Sequence, residues 1–139
     1  MAYSSTYTGA QIDAAVGKVN SMAGYMSGKT TVNGWDVITF SNGVVLMTKR
    51  TAMTLSCTVS VGTGLYTTYG AVLDTIPTNY ASVIEHISVT VEGNTNNMLF
   101  ASMTAINSPA NGSFAWRPVS INSFEYSSAV VTYFVVGSV

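Results

Sequence analysis

The stretch Met53-Thr54-Leu55-Ser56-Cys57-Thr58-Val59-Ser60-Val61-Gly62-Thr63-Gly64 decides the fold. Apolar and hydroxyl side chains alternate as far as Val61, the period of a strand with one buried and one wet face. Gly62-Thr63-Gly64 then supplies the turn that ends it. Cys57 falls on the inward phase between Leu55 and Val59, where a free cysteine acts as a small apolar filler. The same period returns from Val83 to Val91. There Val83, Ile87, Val89 and Val91 share a face with Glu85, while Ile84, His86, Ser88 and Thr90 take the other. A carboxylate on an apolar face marks either a bulge or a subunit boundary.

Working outward, Asn33-Gly34, Asn42-Gly43 and Asn111-Gly112 are the pairs that tolerate the positive φ of tight hairpins, and residues 93–97 form a further turn. Between these punctuation points, residues 35–40, 44–47, 65–73, 98–106, 114–121 and 129–136 read as strands. Closely spaced turns with no helix between them predict a mainly β chain, an antiparallel β-sandwich.

Helical periodicity is confined to the first 28 residues. Thr8-Gly9-Ala10-Gln11 has the form of a capping box. Beyond it Ile12, Val16, Val19, Ala23 and Met26 recur at steps of four and three, a short heptad seam interrupted by Gly17 and Gly24. So short a helix is marginal alone in water, and each interior Gly costs about 1 kcal/mol relative to Ala. The seam is read either as the inward face of a helix on its own domain or as a trimeric coiled coil among identical chains, which the scarcity of charge favours. The expected organisation is therefore an N-terminal attachment or trimerisation segment, 1–28, followed by a β-sandwich knob, 29–139.

Composition narrows the function. Charged residues make up 8% of the 139-residue chain and the net charge is −1. That is no footprint for nucleic acid or for an anionic membrane surface. Ser, Thr and Asn number 17, 18 and 10 beside 18 Val, so hydroxyls and amides rather than charges hydrate a β surface. One cysteine excludes an intramolecular disulfide framework and a multi-cysteine metal site. No run approaches the ~20 apolar residues of a membrane span, and Met1-Ala2-Tyr3-Ser4-Ser5-Thr6 lacks the basic start of an export signal. Synthesis in a cytoplasm without ordinary export is expected.

Catalytic and cofactor signatures are missing. His86 is the only histidine and has polar strand neighbours, so a solvent-facing role is expected; no nucleophile elbow, phosphate loop or zinc-helix motif occurs. Asp36, Asp74, Glu85, Glu92 and Glu125 lie in or beside predicted strands, yet no spacing singles out a glycosidase pair. Binding chemistry is better represented. Trp116 and Arg117 follow the amide-rich loop that holds Asn107 and Asn111, and Asn96 lies in another such turn. An aromatic face beside amides and hydroxyls suits a sugar; the other reading makes both tryptophans core residues. Asn96, Asn107, Asn111, Trp116 and Arg117 are thus the candidate ligand contacts, with no metal and no cofactor expected.

Three stretches resemble bacteriophage fibre proteins. The run from Tyr7-Thr8-Gly9-Ala10-Gln11 to Val16 is similar to the helical lead-in of phage tail and head fibres. Phe40-Ser41-Asn42-Gly43-Val44 resembles the hairpin that opens a tail-fibre knob, and Tyr133-Phe134-Val135-Val136-Gly137 the strand that closes one. The resemblance implies a homotrimer on a virion, made in the host cytoplasm and released by lysis. It would join other virion proteins through its N-terminal segment and adhere to a bacterial surface glycan or protein. A head fibre or capsid decoration protein is the alternative, and a glycan-degrading fibre hydrolase the second.

Overall fold

A computed structural model describes residues 8–23, 25–92, 98–106 and 112–139. Helix α1 spans Gly9–Ala23. It opens on the expected capping box: the Thr8 amide donates to Gln11 Oε1 (2.9 Å) and the Gln11 amide to Thr8 Oγ1 (3.3 Å). The helix stops before Met26, which instead begins strand β1 (Met26–Val32). Met26 therefore does not belong to the heptad seam. Pairing is the reason: Met26 lies opposite Phe40, the Ser41 amide donates to the Tyr25 carbonyl (2.9 Å), and the Tyr25 ring meets Phe40 edge-on at 6.2 Å. These cross-strand bonds outweigh one more helical turn in a segment already carrying Gly24 and Gly28.

Strand β2 (Trp35–Phe40) has the bounds read from the sequence, and Asn33 (φ 50°) with Gly34 (φ 79°) closes the tight turn before it. Strand β3 (Val44–Cys57) fuses two segments that read separately. The chain then changes sheets at Thr58, so β4 (Val59–Gly62) belongs to the opposite layer. Val59 and Val61 consequently leave the inward phase of Leu55 and Cys57, and Val61 is 57% exposed. Beyond the turn come β5 (Leu65–Thr67), β6 (Val72–Thr75), β7 (Val83–Glu92), β8 (Leu99–Ile106), β9 (Ser113–Ser120) and β10 (Phe124–Ser138).

All pairings are antiparallel. One sheet runs β1-β2-β3-β10-β7. In the other, β9 is central: β8 pairs with it along its length, β5 and β6 pair with its two ends, and β4 pairs with β5. The two sheets enclose one apolar core, which makes the fold sandwich-like. From the first sheet Trp35, Val37, Val45, Met47, Leu55, Ile87, Val131, Tyr133 and Val135 point inward; from the second come Phe114 and Trp116. Tyr133 sits at the centre, stacked on Trp35 (5.9 Å) and edge-on to Phe114 (5.2 Å) and Trp116 (6.2 Å). Cys57 is fully buried, and burial pushes its thiol pKa up.

The Glu85 question resolves as a bulge. Val136 pairs with His86 and Gly137 with Ile84, leaving Glu85 as the extra residue. The phase reverses there, so Ile84 packs on the core and Val83 is 49% exposed, contrary to the even alternation read from the sequence. Gly137 is held in place by this crossing, since a Cβ there would lie 2.7 Å from the Val83 carbonyl oxygen.

Candidate functional site

The register of β9 sorts the candidate ligand residues. Phe114, Trp116, Pro118 and Ser120 occupy its inward phase and are buried. Trp116 is thus a core residue and not a surface anchor: it is wholly buried, and its Nε1 donates to the Tyr133 hydroxyl at 3.3 Å. A sequence cannot show that a phenol waits across the core to satisfy the indole N–H, which is what makes full burial tolerable. Trp35 is treated likewise, with Nε1 donating to the Thr75 carbonyl at 2.9 Å.

Arg117, one residue on, faces outward. It has no hydrogen-bond or ion-pair partner among the described residues. Asn96, Asn107 and Asn111 lie outside the described residues. Their flanks are informative, because Leu99 pairs with Ser120 whereas Ile106 pairs with Phe114. Leu99 and Ile106, at which β8 meets these two segments, are thus at its opposite ends, about 23 Å apart at ~3.3 Å per residue.

The titratable groups hold the fold or face solvent. Lys49 Nζ reaches both Asp74 oxygens (2.9 Å each) across the sheets and lies 5.7 Å over the Trp35 ring. Arg50 pairs with Glu92 (3.0 Å), and Asp36 accepts from Thr31 Oγ1 (2.6 Å). Glu85, His86 and Glu125, all on the first sheet, are exposed. Among the described residues no cluster of three or more His, Cys, Asp or Glu is placed to hold a metal, and no helix is long and apolar enough to cross a membrane.

Among the described residues, exposed apolar side chains gather on three surfaces. The first is on α1, whose described side chains are all exposed, with Ile12 at 46% and Val16 at 51%. Val19 and Ala23 lie in the same helix, but their side chains are outside the described residues. The second is the end of the sandwich remote from β1: the β4–β5 turn and the residues around the Leu99–Ser120 pair expose Val61, Leu65, Met98 and Ile121 beside Thr63 and Ser123. The third is the outer side of the β9 sheet. There Phe100 and Leu73 are exposed, Val119 and Arg117 half-buried, and Thr67 and Ala115 buried.

Tyr69, 92% exposed, projects at the edge of this third surface. It lies in residues 68–71, four residues that span only Arg117 and Pro118 on β9 and so break what read as one strand, 65–73. Pro118 has no amide to give the ladder, and Gly70 lets the chain loop out. Those two residues were the sequence signals for the break. No protein-family model and no curated protein matches the chain.

Proposed function

We propose that the chain is a phage virion fibre protein of the tail-fibre, receptor-binding type: a non-enzymatic homotrimer that adheres to a bacterial surface glycan or protein. The observation that carries this reading is a capped α1 whose Ile12 and Val16 are exposed among the described residues, directly ahead of a sandwich. A helix of this length gains its stability from partners. Three copies joined at Ile12 and Val16, with Val19 on the same seam, would project three sandwiches from one stem.

Adhesion then falls to the end remote from β1. There Val61, Leu65, Met98 and Ile121 offer apolar contact beside hydroxyls, the mixture that suits sugar rings or a protein loop. Asn96 belongs to the segment that enters β8 at this end, so it stays a candidate contact, while Asn107 and Asn111 enter at the other.

Negative-stain imaging of virions labelled with an antibody to this chain tests the assignment. Label at fibre tips, with adsorption to host cells blocked by the purified protein, is the expected result. Label spread over the head would replace it with a head fibre or decoration protein, and oligosaccharide release from host polysaccharide would replace it with a hydrolase.

A further inference from the structure

We propose that Arg117, with Ser102 and Phe100 beside it on the outer side of the β9 sheet, is a subsite for an acidic sugar, one that carries a carboxylate. The inference rests on the adhesion reading above and names the chemistry of the ligand.

All six acidic residues of the chain lie among the described ones, and none of them pairs with Arg117. Asp74 holds Lys49, Glu92 holds Arg50, and Asp36 accepts from Thr31. Glu85 and Glu125 belong to the first sheet and Asp13 to α1. Arg117 is nonetheless half-buried. Charges withdrawn from water are ordinarily paired, so a guanidinium with no carboxylate beside it is set for an anion from outside. Its planar fork matches a carboxylate with two parallel hydrogen bonds.

The neighbours select a sugar as the carrier of that carboxylate. Ser102, exposed, lies directly opposite Arg117 on β8, and Phe100, 51% exposed, lies one row on, opposite Val119. Diagonal positions in an antiparallel pair are about 7–8 Å apart, within reach of a ring and a long side chain. A pyranose seated between them lays its C–H face on the Phe100 ring, turns a hydroxyl to Ser102 and gives its carboxylate to Arg117. On the other side of β9, residues 68–71 leave the ladder opposite Arg117 and Pro118 and carry the exposed Tyr69.

A single cation also decides which anion. A phosphate monoester brings a charge of about −1.5 to −2 at pH 7 and calls for more than one cation, whereas a carboxylate brings one charge. Position agrees with adhesion. Arg117 precedes Ser120 by three residues, about 10 Å at ~3.3 Å per residue, so the subsite adjoins the end that exposes Leu65, Met98 and Ile121.

Titration calorimetry of the full chain with oligogalacturonate, with oligoglucuronate and with the methyl ester of the first is the test. The ester keeps every ring and loses the charge. The unaltered chain should bind at least one of the two acids and not the ester, and the binding should weaken as salt rises. Arg117→Gln should weaken it on the order of tenfold to 100-fold, the worth of a charged hydrogen bond, and Arg117→Lys should fall between. Phe100→Ala, at an exposed site, should weaken it severalfold. Lys29→Gln, which removes an exposed cation from the first sheet, should leave it unchanged. Failure of both acids to bind, equal binding of the ester, or an equal loss in Lys29→Gln overturns the inference. The fibre reading is decided separately by virion labelling. Label at fibre tips without uronate binding leaves that reading standing, and uronate binding by a chain absent from fibre tips overturns that reading alone and supports the subsite.

Discussion

Replacing Tyr133 by Phe removes one oxygen from the middle of the core and leaves every ring contact in place. The phenol is wholly buried, and the Trp116 indole N–H, also wholly buried, donates to it. In the variant that N–H has lost its acceptor, a deficit of about 1–3 kcal/mol. A domain of this size should then melt lower by roughly 3–4 °C for each kcal/mol. A second signature separates this from general damage. Burial pushes the Tyr133 hydroxyl from 10.0 up to about 12, because the core disfavours the phenolate. Its folded pKa lies above its unfolded one, so this group's contribution is complete below pH 10 and is lost as pH rises from there to about 12. Two pKa units correspond to roughly 2–3 kcal/mol. Urea unfolding from pH 8 to pH 12 should therefore show a steeper alkaline loss in the unaltered protein than in Tyr133→Phe. Equal stability at pH 8 together with parallel alkaline limbs would refute the assignment of Tyr133 as the acceptor at the centre of the core.

Three further outcomes follow from other parts of the fold. Cys57 should react with a thiol reagent only at the rate of global unfolding, since it is fully buried with its thiol pKa raised; rapid labelling of the native protein would contradict its position. Gly137→Ala should destabilise by at least about 2 kcal/mol in chemical denaturation, because its Cβ would meet the Val83 carbonyl and Ala81, whereas Gly17→Ala, with open space around it, should raise helicity and add up to about 1 kcal/mol. Asp74→Ala should cost about 1–3 kcal/mol in thermal melts, leaving Lys49 half-buried between the sheets without its carboxylate.

The parts of the fold visible in the sequence are those where one strand carries its own pattern. Leu55 and Cys57 alternate with hydroxyls, Asn33-Gly34 names its turn, and Thr8 with Gln11 caps the helix without help from elsewhere. What escaped depends on residues far away in the chain. The middle of β3 is disguised by an inward Lys49, which Asp74 on the other sheet neutralises. Strand β1 offers Ser27-Gly28-Lys29-Thr30-Thr31, a segment extended by its pairing with β2 and not by its own hydrophobicity. Among the candidate contacts, Trp116 and Arg117 are neighbours in sequence yet separate to core and surface. That choice is made by the phase of β9, which a pair of adjacent residues does not reveal.

The position of β10 bears on how the molecule is made. This strand lies between β3 and β7 and pairs with each along most of its length, joining Val44 to Ser138 and Val83 to Ser138 in the same ladder. Until residues 124–138 are available, β3 and β7 have no common partner, and Tyr133 is missing from the cavity that Trp35, Phe114 and Trp116 surround. Closure of the core is thus deferred to the most distant pairing in the topology, the kind that is slow to form and leaves strand edges open meanwhile. A chain cut short before residue 124 would therefore leave the edges of β3 and β7 unpaired and the core open.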